Sequence, residues 1–477
     1  MIIAGAVLVL LVISYVFGRR EKDTHDFFLG GRRIPPAIAC LSFVATEISA
    51  LTIVSMPHTA FTENWRWLQF LIGSALARVL VAFLFIPAFY KHNCTSIYEF
   101  LGHRFGPATQ YAGSIYFFIT RLLASGVRLY ATCMAVGVIL GWPLAVTISL
   151  FTVVSILFIA FGGIKAVVWA GAYQAIFFVT VGILVVGYLL THIDGGLPAA
   201  LQAASEAGRL STFNFRLDLH DATTFWAGAA NGFFVGLVAF GTDQEMVQRL
   251  LTVRTRRSSQ KTIMATILTV LPVYWLYLLV GTLLYVFYRQ HADLALPQEL
   301  KELLPHFART VLPAGLKGLV LGAIIMASID SPLNSLTASF VSDIYRPLIR
   351  KYADERHYLL VSRLGVIGFG LLLAGIAALC SPVENILWFA FQVYSLTGGP
   401  MLGVFLLGLL TRRKANLANL PAMLISTVIC VVLLFLIKTS HLHLGWTWLI
   451  VLGTVVTMLL AYMFGLLTLR RQTSDIG

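Results

Sequence analysis

Charge is what this sequence has least of. Asp, Glu, Lys and Arg make up 12% of its 477 residues, about half the share of roughly 25% found in soluble domains. That shortage excludes a water-facing globular surface over most of the chain. Cysteine is sparse as well. Cys40, Cys94, Cys133, Cys380 and Cys430 are odd in number and lack metal-ligand spacing, which argues for neither a disulfide framework nor a metal site. No nucleotide-binding loop or metal-ligand cluster is found, so nothing points to enzymatic chemistry. Acids are fewer than bases, giving a formal net charge of +13. An excess of this size raises nucleic acid or an acidic partner, but the placement of the bases decides otherwise.

What is present is apolar. Hydrophobic residues reach 58%, with 33 Phe, and the mean hydropathy is +0.85. The chain therefore reads as an all-α polytopic membrane protein built almost wholly of spanning helices. Thirteen apolar runs are candidate spans: 1–18, 35–60, 66–89, 111–139, 142–162, 167–191, 224–248, 262–287, 311–342, 358–379, 383–409, 417–437 and 443–467. The first is short for a hydrocarbon core of about 30 Å, and basic Arg19, Arg20 and Lys22 follow it. It reads as an uncleaved helix and not as a signal peptide.

Alternating the connections between the two membrane faces places 23 Lys and Arg on one side and 7 on the other. The positive-inside rule then sets the N-terminus outside and the C-terminus in the cytoplasm of a multi-pass cell (inner) membrane protein. The net charge is a topology signal. No nucleic-acid module, soluble domain or obligate protein partner is expected. Arg78, Arg121, Arg128 and Lys317 fall inside or at the edges of spans. Snorkelling to a surface is the expectation for Arg78 and Arg121. Arg128 lies deeper, alone in GVRLYATCMAVGV, and calls for an intramembrane acid or an anionic ligand.

Three spans break the aliphatic pattern. The stretch Pro36 to Ala60 carries Glu47 at its middle and a run of small and hydroxylated residues: Ser42, Ala45, Thr46, Ser49, Ala50, Thr52 and Ser55. A carboxylate at that depth is costly, and so many polar groups suit a site at the bilayer midplane or a tightly packed helix with a paired structural acid. Residues 321–345 combine Pro332 with Ser328, Asp330, Ser331, Asn334, Ser335, Thr337 and Ser339, and helical spacing sets Ile324, Ala327 and Ser328 on a common face suited to a small cation or to close helix packing. Residues 225–250 space Gly228, Gly232 and Gly236 four apart, followed by Gly241. That spacing serves close packing or an unwound turn.

The motifs DFFLGGR (Asp26 to Arg32), FVATEISALT (Phe43 to Thr52), SIYEFLGHRFG (Ser96 to Gly106), FGGIKAVVWAGAYQ (Phe161 to Gln174), FGTDQEMVQR (Phe240 to Arg249), SPLNSLTASFVSDIY (Ser331 to Tyr345) and GGPMLGVFLLGLLTRRKAN (Gly398 to Asn416) occur in this order. Together they resemble the sodium/solute symporter family, which includes bacterial sialic acid, proline and galactose symporters and the sodium/glucose cotransporters. The resemblance implies a LeuT-type fold of two inverted five-helix repeats. These would be residues 35–191 and 224–410, after an N-terminal helix and loop at 1–34, joined by an outer loop at 192–223 and followed by two peripheral helices at 411–477. It also implies alternating access driven by sodium, each ion gaining about 2.3 kcal/mol from 100 mV of membrane potential. Apart from sodium as coupling ion, no cofactor is implied.

By the same resemblance, sodium would be held by carbonyls of Ala45 and Ile48 and by carbonyl or hydroxyl oxygens of Ile324, Ala327 and Ser328. Relatives commonly carry paired hydroxyl residues where this chain has Ala327 followed by Ser328. Where the family often reads Trp-Thr-Asp, this chain has Trp169, Ala170 and Gly171, with Gln174 retained. The missing acid implies one coupled sodium ion. The candidate substrate residues are Glu47, Ser49, Thr52, Gln69, Arg128 and Gln392. Arg128 stands in the Gly-x-Arg context of the arginine that meets the carboxylate in sialic acid symporters, and a guanidinium suits a carboxylate bidentately. An organic acid or acidic sugar is expected. Pairing of Glu47 with Arg128 would instead leave a neutral site for a sugar or polyol. Proton-coupled or sodium-independent transport, and a transporter-like sensor, are the further alternatives.

Overall fold

The computed structural model describes residues 2–18, 23–329, 332–380, 386–412 and 416–474. Sixteen main helices among the described residues carry the architecture, and the lipid solvent explains why: each peptide group at membrane depth must be bonded within its own segment. In order they are α1 (Ile2–Gly18), α2 (Pro36–Glu47), α3 (Ala50–Thr62), α4 (Trp67–Lys91), α5 (Pro107–Leu140), α6 (Leu144–Ala160), α7 (Gly163–Thr191) and α8 (Phe225–Thr242). Then come α9 (Gln244–Leu251), α10 (Arg256–Gln290), α11 (Ala314–Ile329), α12 (Leu333–Ser339), α13 (Glu355–Leu379), α14 (Ile386–Leu410), α15 (Asn416–Lys438) and α16 (Leu449–Ser474). Among the described residues nine helices are long and apolar enough to cross a membrane, and a tenth crossing results if α2 and α3 count as one bent span. Leu8–Phe17, Leu144–Ala160 and Ala314–Ala327 are shorter apolar helices. The molecule is an all-α multi-pass membrane protein.

Local sequence explains where the helices start and stop. Pro36 and Pro107 open their helices at the first turn, where an N–H has no intrahelical partner to lose. The Asp354 carboxylate caps α13 by accepting from the His357 N–H at 3.1 Å. The long helical run from Leu144 to Thr191 is divided at Gly163, whose φ of 48° only glycine adopts without strain.

Two breaks interrupt the helices at the centre of the bundle. Between α2 and α3 the backbone leaves the helix at Ile48 (φ −83°, ψ 79°) and Ser49 (φ −84°, ψ 173°), and the two pieces bend by 55°. Between α8 and α9 a π-helical turn, Val238–Thr242, ends in extended backbone at Asp243. Gly228, Gly232 and Gly236 do not make this second break. A Cβ on Gly232 would collide with the Phe70 carbonyl oxygen, and one on Gly236 would lie 2.7 Å from the Ala77 Cβ. They let α8 lie against α4, the close-packing role of small residues in lipid.

Candidate functional site

The break at Ile48 and Ser49 changes the hydrogen bonding of α2. In an unbroken helix the Ser49 N–H would donate to the Ala45 carbonyl. Here it donates to the Glu47 carbonyl at 3.1 Å, so the Ala45 oxygen loses its helical donor. Across α7 a similar deficit arises in α11, because Pro332 has no N–H to give the carbonyl four residues earlier, at Ser328. Ile324 and Ala327 are fully buried; the Ser328 side chain and residues 330 and 331 lie outside the described residues. Both helices pack on α7. Gln174 Nε2 donates to the Met326 carbonyl at 2.9 Å, and a Cβ on Gly171 would meet Ser42 Oγ at 2.5 Å. The space beside Gly171 is thus filled by the neighbouring helix.

Beside the two breaks lies a cavity of about 180 Å³, lined by residues from α2, α3, α4, α5, α8, α9, α10 and α14. Glu47, Ser49, Thr52 and Arg128, four of the six substrate residues read from sequence, face it together. Gln69 does not. Its amide is taken up by backbone, mostly of the loop at 192–223: Nε2 donates to the carbonyls of Arg66 at 3.2 Å and Thr223 at 3.0 Å, and Oε1 accepts from the Asn214 N–H at 2.9 Å. Gln392, at the start of the apolar stretch of α14, is also not among the lining residues.

The expectation that Arg78 and Arg121 snorkel to a surface is overturned. They are 1% and 4% exposed, and each is ion-paired at the cavity. Glu47 pairs with Arg78, not with Arg128. Ser74 Oγ and Thr266 Oγ1 accept two more Arg78 bonds at 2.7 and 3.0 Å, and the guanidinium lies 4.2 Å from the Phe240 ring centre. Arg121 pairs with Asp243 and Glu245 and donates to the Tyr394 hydroxyl at 2.9 Å. That hydroxyl donates to Asp243 Oδ2 at 2.6 Å, while Asp243 Oδ1 caps α9 by accepting from the Glu245 N–H at 2.9 Å.

Pairing is what makes six charges tolerable at this depth. Each unpaired one would cost about 3 kcal/mol on insertion scales; Arg78, Arg121 and Arg128 lie against Glu47, Asp243 and Glu245, and a further buried base, Arg249, donates to the Glu245 carbonyl. Arg128 is the least committed of the three bases. Its Nη1 stands 3.8 Å from Glu245 Oε1, and 18% of its side chain is exposed, against 1% for Arg78 and 5% for Arg121. A cavity of this kind, enclosed by paired charges with one loosely held guanidinium beside a broken helix, defines a solute carrier.

Comparison with known proteins narrows the class. The profile of the sodium:solute symporter family matches residues 27–426. The sodium/sialic acid symporter SiaT of Proteus mirabilis is 30% identical over 445 residues, covering 90% of this chain and 88% of that protein. The human sodium-coupled monocarboxylate transporter 1 is 28% identical over 427 residues, covering 86% of this chain and 68% of that protein. A solved substrate-bound, outward-open state of a sodium-coupled sialic acid symporter superposes with a TM-score of 0.87 at 26% identity, covering 98% of this chain and 97% of that chain. The chain belongs to the sodium:solute symporter family. Its work is sodium-coupled transport of a small solute across a lipid bilayer, and not enzymatic catalysis.

Proposed function

We propose that the chain imports a small carboxylated solute, an organic acid or acidic sugar, by alternating access, with Arg128 meeting the carboxylate. The observation that carries this reading is the loosely held Arg128 guanidinium at the cavity, beside arginines already saturated by their own acids. The relatives' names, sialic acid symporter and monocarboxylate transporter, agree in charge class. Glu47 Oε2 is taken by Arg78, so its other oxygen, with Ser49 and Thr52, serves as acceptor for substrate hydroxyl or amino groups. The pairing of Glu47 with Arg78 weakens the neutral-sugar alternative, which needed Arg128 to be neutralised by Glu47.

The coupling ion is sodium, bound by the carbonyls of Ala45 and Ile48 and by oxygens of Ile324, Ala327 and Ser328. One ion moves per cycle, since Gly171 supplies no acid for another. The three shorter apolar helices complete thirteen spans in a LeuT-type arrangement, with repeats at 35–191 and 224–410, the N-terminus outside and the C-terminus in the cytoplasm.

Uptake into proteoliposomes tests this. An imposed inward sodium gradient is expected to accelerate uptake of radiolabelled sialic acid or pyruvate, and not of neutral N-acetylglucosamine. Acceleration by a proton gradient alone would overturn the coupling, and a preference for the neutral sugar would overturn the substrate class. Ser328→Ala is expected to raise the sodium concentration for half-maximal uptake. A charge-to-substrate ratio showing two sodium ions would refute the single-ion reading.

A further inference from the structure

One buried acid behind the cavity-lining Arg121 and Arg128 has no part in binding solute or sodium as proposed. Glu245 is 1% exposed, stands between Arg121 and Arg128, and among the described residues its Oε1 accepts no hydrogen bond. A buried carboxylate oxygen left unbonded is costly, and Arg128 Nη1 stops 3.8 Å from this one. The position of Glu245 is fixed by backbone: the Asp243 cap holds its N–H, and Arg249 Nη1 donates to its carbonyl. Following Arg128 into the cavity would therefore take the carboxylate away from Arg121. Arg121, by contrast, keeps Asp243 and Tyr394 whatever happens to Glu245.

We propose that Glu245 is a positioning residue that competes with the substrate carboxylate for Arg128, restraining the guanidinium when the cavity is empty and releasing it when an anion enters. The assignment rests on the carboxylated-solute reading. Arg128 thus faces Glu245 at a distance and not by contact. It neither collapses onto an acid nor stands as a bare cation that would hold any anion and release it slowly. A carboxylate that reaches Arg128 forms the contact pair that Glu245 cannot, and exchanges a 3.8 Å ion pair for a charge-assisted hydrogen bond. The negative charge it adds is then balanced by the coupling cation. Selectivity for acids over neutral solutes and the need for sodium thus share one residue.

The test is equilibrium binding to purified protein in nanodiscs, with sialic acid and pyruvate as acidic probes and N-acetylglucosamine as the neutral one, at low and high sodium. Glu245→Gln removes the competitor and leaves Arg121 paired with Asp243. The tighter-binding acid is expected to bind about fivefold more tightly, the size of a weak ion pair, with a shallower dependence on sodium and no change for the neutral probe. Glu245→Asp keeps the charge but draws it back from Arg128, and is expected to shift binding in the same direction by less. It reads the proposal even if the Gln variant does not fold. Unchanged or weakened acid binding in both variants, or an equal effect on the neutral probe, overturns the competitor role while leaving the substrate class intact. A wild type that binds neither acid overturns both.

Discussion

At the scale of single residues, the buried pair of Glu47 and Arg78 makes the firmest prediction. Removing one partner leaves the other charged and unsolvated, which costs about 3 kcal/mol or more, whereas replacing both by apolar residues of similar volume is close to neutral. Glu47→Leu and Arg78→Met alone are each expected to lower the thermal unfolding midpoint in detergent. The double variant should recover most of the loss, and no recovery would show that the two act separately. None of these pairings was legible in the sequence. Arg78 lies 31 residues from Glu47, and Arg121 lies 122 from Asp243, so each arginine taken alone looks like a side chain reaching for a membrane surface. The two acids of FGTDQEM, Asp243 and Glu245, inside the span at 224–248, were the available signal. Gln69 misled for a different reason: an amide donates and accepts equally well to solute or backbone, and only the fold shows that a loop had claimed it.

At the scale of elements, that loop has a pH dependence. Burial works to raise the Asp221 carboxyl, but hydrogen bonds from the Thr223 N–H and hydroxyl, with Arg66 and Asn214 nearby, outweigh it and hold the group below the usual carboxylate range. A depressed value contributes stability above the unfolded value of about 3.9 that is lost as pH falls through the folded one. Hydrogen exchange across residues 211–223 should therefore quicken below about pH 4 in the wild type, after correction for intrinsic rates, and Asp221→Asn should flatten that dependence. Gln69→Ala should quicken exchange in the same segment at every pH, because it removes the anchor itself. If it altered substrate affinity and not the loop, the anchoring role would be wrong. An element boundary followed from the sequence where chemistry is local, as at Pro36; α5 instead opens at Pro107, ahead of the span at 111–139, and α12 starts after Pro332, inside the span at 311–342. The break after α8 did not follow from the sequence, since glycines at a spacing of four serve packing and unwinding alike, and the contact with α4 decides between them.

At the scale of the whole molecule, the class of architecture was legible because lipid permits few solutions: apolar runs of spanning length must be helices. The arrangement of those helices was not, because lipid-facing and buried apolar residues look alike in sequence. Gly171 shows what arrangement adds. The whole bundle closes α2 onto α7 there, so Gly171→Ala is expected to push these two helices apart and, with sodium held as proposed, raise the sodium concentration for half-maximal uptake. Combining it with Ser42→Gly, which clears the 2.5 Å approach, should restore part of the loss. Failure of that rescue would mean that the contact is not what limits the position.

The same contact bears on the order in which changes can accumulate. An acid at position 171 cannot be tested by selection while Ser42 occupies the space, and a smaller residue at 42 brings no benefit while 171 is glycine. A lineage carrying this pair must pass through a looser protein before a larger residue can settle at 171, so the single-ion stoichiometry proposed above would be held in place by sterics as much as by advantage.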